Sequence, residues 1–213
     1  MKPIIVIAIS ILTITNSYSQ NIKSDSTQVH FDGFYFGLNG GSQNVFGGSF
    51  VNGIDILAQE SKFVAELSLG YRKQFLKNRL VLGLQYQMGF LNGNLSYYNP
   101  VEPLSINYKN SFQSGFGGLF GFTLGPGKNW LIMGYVNETK RKFNVRIQQG
   151  TSKFSQTDEQ GMLKYGIGIE RQLYRKINVR AQFGGLNVDF GELITNIDVE
   201  DKYDLTLGIV LQL

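Results

Sequence analysis

Few residues in this chain are equipped for chemistry. His30 is the single histidine and there is no cysteine among 213 residues, so thiolate or imidazole metal clusters are excluded and acid–base catalysis has one candidate of the usual kind. His30 lies just ahead of the first strand-like segment, which makes it a solvated rim residue rather than a base. Asp189, Glu192, Asp198, Glu200 and Asp201 form an acidic run that would attract divalent cations, but the spacing fits no calcium loop and a solvated surface is expected. No cofactor is implied. Glu66, Arg72, Lys164, Glu170, Arg180 and Asp204 are more informative, because each falls within a segment of alternating polarity, opposite its large apolar residues. Charges on such a face are costly unless paired. Glu170 and Arg180 flank a short turn and are the best candidate pair.

The elements that position these residues follow from period-2 alternation, the mark of β-strands. Phe34, Phe36 and Leu38 oppose Gly33, Tyr35, Gly37 and Asn39. Ala65, Leu67, Leu69 and Tyr71 oppose Glu66, Ser68, Gly70 and Arg72. The same contrast recurs over residues 80–90, 116–124, 163–170, 177–184 and 204–213, and residues 130–136 are apolar on both faces. Eight antiparallel segments result. Short turns at residues 76–78, 125–129 and 173–176 alternate with longer connections at residues 41–61, 91–110, 137–161 and 187–202, expected as loops. Within the third connection, residues 142–148 and 153–156 alternate again around Gly150-Thr151, which reads as a hairpin extending the strands, and an exposed edge there could add a partner's strand.

Two barrels fit this pattern: a soluble lipid-binding one with its apolar face inward, and a membrane one with that face outward. Glycine separates them. The chain has 26 glycines, and Gly83, Gly89, Gly117, Gly121, Gly166, Gly168, Gly184 and Gly208 all fall on the small or polar face. In water they would only weaken strands, whereas the interior of a narrow barrel has room for little else. Strands of about nine to eleven residues span the apolar band of a membrane, with Tyr71, Tyr86, Phe90, Trp130 and Tyr165 placed for aromatic girdles. An eight-stranded interior is expected to be filled by side chains such as Tyr35, Gln85, Gln87 and Leu119, without a wide pore.

Residues 1–19 read as a cleavable export signal, with Lys2, an apolar run over residues 4–14 and small residues at Ser17 and Ser19; residues 20–30 are a polar segment, and residues 31–213 form one barrel domain. Without cysteine, no lipid attachment is expected after the signal. The net charge of +4 is dispersed, so nucleic acid is not an expected partner.

The terminal run Thr206-Leu207-Gly208-Ile209-Val210-Leu211-Gln212-Leu213 resembles the signal read by the outer-membrane assembly machinery, with Thr206, Gly208, Leu211 and Leu213 at its marked positions. That signal usually ends in an aromatic residue, and Leu213 departs from it. With the strand and loop plan over residues 31–213, the chain resembles the small OmpA/OmpX-type outer-membrane barrels of Gram-negative cells. The resemblance implies export to the outer membrane, insertion by the barrel-assembly machinery, contact with outer-membrane lipid and lipopolysaccharide, and a non-enzymatic role in adhesion or envelope integrity, with a surface partner met through the loops. The alternative within such barrels is a lipid A deacylase-like enzyme, but its histidine belongs on the extracellular side and His30 lies at the opposite rim.

Overall fold

The structure, a computed structural model, describes residues 30–51, 54–99, 104–188 and 203–213. Its strands are β1 (Gly33–Val51), β2 (Ile54–Phe75), β3 (Leu80–Asn99), β4 (Leu104–Leu124), β5 (Trp130–Gln149), β6 (Ser152–Tyr174), β7 (Ile177–Val188) and β8 (Tyr203–Gln212). Each pairs antiparallel with the next, and β1 pairs with β8, so eight strands close into an up-and-down barrel. All eight alternating segments lie inside these strands, apart from Leu213, one residue past the end of β8. The expected export signal at residues 1–19 and the acidic run at residues 189–201 lie outside the described residues.

The short turns need backbone that L-residues rarely adopt. Leu76, Lys77 and Asn78 take φ of 50°, 58° and 64° in succession between β2 and β3, and Arg175 takes 36° between β6 and β7. Gly125 holds φ of 85° at the β4–β5 turn, where the absence of Cβ removes the strain.

Alternation sets the two faces of the wall. Phe34, Leu84, Phe120, Ile167, Phe183 and Ile209 point outward and are exposed, at 64% for Phe34 and 58% for Leu84. Between them Tyr35, Gln85, Leu119, Glu170, Arg180 and Gln182 point inward and are buried. Inward glycines let large rings cross the lumen: a Cβ on Gly70 would lie 2.5 Å from the Tyr35 ring, and one on Gly47 would lie 2.6 Å from the ring of Tyr108. The narrow interior is therefore packed by rings seated on glycines.

The connections at residues 41–61, 91–110 and 137–161 are not loops but continuations of the strands, so β1 to β6 run 19 to 23 residues while β7 and β8 have 12 and 10. The reason is a reversal of polarity along each strand. On β5 the outward residues are Trp130, Ile132 and Val136, then Glu138, Lys140, Lys142 and Arg146; the inward ones change from Asn137, Thr139 and Arg141 to Phe143 and Val145. From Phe143 upward β5 is apolar inside and polar outside, as in a water-soluble protein. Phe143 and Val145 join Val45, Ile106, Tyr108 and Leu95 in a dry core, each such side chain contributing about 1.5–3 kcal/mol by burial. That core holds the strands together far beyond the length a membrane requires.

Candidate functional site

The inward charges sort into two separate groups. Nearer the short turns, Arg72 on β2 reaches across the lumen to Glu170 on β6, with Nη1 donating to Oε2 at 3.0 Å and Nη2 to Oε1 at 2.8 Å. Arg180, directly opposite Glu170 on β7, donates through Nε to Oε2 at 2.9 Å and places Nη2 2.8 Å from the same oxygen. Asn178 Nδ2 donates to Oε1 at 2.6 Å, and Arg72 also donates to Gln212 Oε1 on β8. Two guanidiniums thus share one carboxylate. The ring of Tyr35 lies 4.7 Å from the Arg72 guanidinium carbon and 5.0 Å from that of Arg180, so its π face meets the surplus positive charge.

Further up, Lys164 Nζ lies 2.5 Å from Glu66 Oε1 and 3.0 Å from Asp204 Oδ2. Gln113 donates to the same Glu66 oxygen at 3.1 Å and accepts from Arg141, whose Nη2 also donates to Gln43 at 2.8 Å. Between the two groups, Tyr35 OH donates to Gln85, Gln85 to Asn137 and Asn137 to Gln87, at 2.8, 3.0 and 3.0 Å. The six charges picked from the sequence form these two groups of three, Arg72, Glu170 and Arg180 in one and Glu66, Lys164 and Asp204 in the other. Arg141 is not among them, because it falls in residues 137–161, expected as a loop, as its partner Gln43 falls in residues 41–61; the same-face sequence Asn137, Thr139, Arg141, Phe143, Val145 is the available signal.

Among the described residues no group of three or more His, Cys, Asp or Glu is placed to hold a metal ion. His30 sits at the short-turn end, its Nε2 donating to the Gly127 carbonyl oxygen at 2.8 Å, and partial burial with Lys128 nearby disfavours its charged form. At the β8 seam, Thr206 is buried opposite Gly41, Gly208 packs against Asn39, and Leu211 and Leu213 are exposed on the outer wall.

The outer wall decides what surrounds the barrel. Phe34, Phe36, Tyr71, Leu84, Tyr86, Phe90, Phe116, Tyr165, Phe183 and Leu207 expose a continuous apolar belt on all sides of a closed sheet whose inside is charged. A water-soluble protein does not tolerate such a surface, and a bilayer requires it. This is a membrane-spanning β-barrel. Trp130, half-buried at the belt's edge, lies under the Arg171 guanidinium at 4.6 Å.

β6 pairs with β5 from Ser152 onward but with β7 only from Met162, so among the described residues positions 152–161 have a strand on one side alone. Residues 152–159 are exposed on both faces. The matching stretch of β1 beyond its pairing with β8 differs, since Val45, Phe46 and Gly47 are buried.

No family model and no curated protein matches the chain. Among solved structures it is similar to Neisserial surface protein A, at 15% identity and a TM-score of 0.42, covering 85% of this chain and 98% of that one. It is also similar to the attachment invasion locus protein Ail of Yersinia pestis, at 12% identity and a TM-score of 0.41, covering 84% of this chain and 95% of that one.

Proposed function

We propose that this protein is a non-enzymatic outer-membrane barrel whose role is surface interaction, carried by the wall that rises above its apolar belt. The observation behind this reading is the β5–β6 hairpin: beyond Val136 it is polar outside, it is braced inside by Phe143 and Val145, and its residues 152–159 are exposed on both faces. Transport is disfavoured, because Tyr35, Gln85, Arg72, Glu170 and Lys164 fill the lumen and the dry core lies above them. Outer-membrane lipid and lipopolysaccharide are the surroundings the belt fits. The run from Thr206 to Leu213 is the segment we assign to the assembly machinery, and residues 1–19 to export.

The test replaces residues 146–155 by a tight turn in the register where Arg146 faces Ser155, which keeps Phe143 and Val145 in the core. The shortened barrel should keep its folded, heat-modifiable migration in gels and lose adhesion of cells that carry it. Adhesion that survives the deletion would defeat the proposal. In planar bilayers the intact barrel should pass at most small, irregular current; large stable steps would show that the lumen is open.

A further inference from the structure

Each short turn is basic. Lys73, Lys77 and Arg79 flank the β2–β3 turn, Lys128 lies in the β4–β5 turn, and Arg171, Arg175 and Lys176 flank the β6–β7 turn. Inside the lumen at this end Glu170 is outnumbered by Arg72 and Arg180. The other acidic side chain described here is Asp32, 3.2 Å from Lys73. Residues 20–29 contribute Lys23 and Asp25, one of each sign, so the excess of cations holds wherever they lie. The upper wall differs, since Lys140, Lys142 and Arg146 are interleaved there with Glu138 and Glu159.

We propose that the short-turn rim binds phospholipid whose headgroup carries net negative charge, of the phosphatidylglycerol kind, in the leaflet it meets. The inference is independent of the adhesive role and concerns the opposite end of the barrel. Height selects a lipid headgroup over a partner farther from the bilayer. Lys77 lies two residues past Phe75, Lys128 two before Trp130, and Arg175 and Lys176 lie between Tyr174 and Ile177, all at the lower edge of the belt. At about 3.3 Å per residue these cations stand within about 7 Å of the belt, the depth of the headgroup layer. Aromatic rings hold two guanidiniums at that depth, Arg171 at 4.6 Å from Trp130 and Arg175 at 5.4 Å from Tyr174. The arc is also rigid. Lys128 Nζ donates to the Lys77 carbonyl oxygen at 2.7 Å, and the Gln172 N–H donates to the Asn129 carbonyl oxygen at 2.9 Å, so the three turns are tied together. A phosphate without a compensating ammonium meets fixed cations there, whereas a choline or ethanolamine headgroup brings a positive charge of its own to oppose them.

Trp130 is the chain's only tryptophan and stands on this rim, so its fluorescence reports the lipid beside it. The barrel is refolded into phosphatidylcholine vesicles in which brominated phosphatidylglycerol or brominated phosphatidylcholine replaces part of the lipid. The relative affinity read from the quenching curves should favour phosphatidylglycerol severalfold. Sodium chloride at about 1 M, where the Debye length is about 3 Å, should remove the preference. Lys77→Gln, Lys128→Gln, Arg175→Gln and Lys176→Gln combined should remove it too, with heat-modifiable migration in gels as the check on folding. If that variant does not fold, the salt series and a second probe carry the test with all four cations in place. The second probe, Phe90→Trp with Trp130→Phe, reads the far side of the belt and should show no preference. Equal affinities at Trp130, a preference that survives the four substitutions or the salt, or the same preference at both probes overturns the proposal. If Trp130 shows no preference while the barrel sediments with purified peptidoglycan through the same four cations, the rim's partner is that acidic polymer and the lipid assignment is wrong.

Discussion

Arg72 and Glu170 meet across the lumen as a two-pronged pair, 2.8 and 3.0 Å long, although 98 residues separate them and no strand joins them directly. Arg180 holds the same carboxylate from the neighbouring strand. Removing the shared acid therefore leaves two buried cations, whereas removing one arginine leaves a matched pair. We predict that Glu170→Gln costs about 3–5 kcal/mol and Arg180→Met clearly less. In a double-mutant cycle the two changes should be strongly non-additive. Urea unfolding of the refolded barrel in lipid vesicles measures both, and an additive cycle or the reverse order would reject the shared-carboxylate account.

The belt predicts where a charge is tolerated. Leu84→Arg places a guanidinium in lipid and is expected to cost about 2–4 kcal/mol, whereas Lys142→Leu, above the belt, should stay within about 0.5 kcal/mol. An inward arginine at position 85 is not the mild control that alternation alone suggests. Gln85 is buried and bonded to both Tyr35 and Asn137, leaving no space for a longer cation. Equal unfolding free energies for the Leu84 and Lys142 variants would contradict the placement of the membrane.

Two glycines should respond oppositely to an added methyl group. Gly70→Ala drives a Cβ into the Tyr35 ring, so overpacking of about 1–3 kcal/mol is expected. Gly161 has nothing within 4 Å of the same position, and Gly161→Ala should be neutral or stabilising by about 0.4–1 kcal/mol. Matching losses at both sites would mean that the ring is not seated on Gly70.

His30 gives the short-turn end a dependence on pH. Burial lowers its pKa, the hydrogen bond to Gly127 opposes that shift, and Lys128 adds to it, so the folded chain disfavours the protonated ring relative to the unfolded chain. Between the unfolded value of about 6.5 and the lower folded value, unfolding takes up a proton. His30 thus contributes fully above about pH 6.5, and its contribution falls as the pH drops through that window. Stability of the wild type should decline more steeply than that of His30→Gln between about pH 7 and about pH 5. Parallel curves would remove His30 from the account.

The lower half of the barrel was legible because residues such as Leu82, Leu84 and Tyr86 face lipid while Gly83, Gln85 and Gln87 fill a narrow lumen, a contrast that no soluble strand shows. The upper half was not, since its alternation has the opposite sense. Asn144 and Arg146 outside with Phe143 and Val145 inside resemble the end of a membrane segment followed by a polar loop. The pairing of Glu170 with Arg180 followed from a short turn. Arg72 joining them did not, because its reach depends on the diameter and stagger of the closed sheet, which no local pattern encodes.

The continuation of β5 and β6 to Gln149 and Ser152 makes this hairpin a stiff mast rather than a tether. A flexible loop that docks must first surrender the freedom of every residue it orders, about 1–2 kcal/mol each for the backbone alone. Here that freedom was given up when Phe143, Val145 and their neighbours packed, so a partner meets a surface already set in shape and height. Even a contact of few bonds can then be retained, and it can form only where two surfaces approach to the distance the mast dictates.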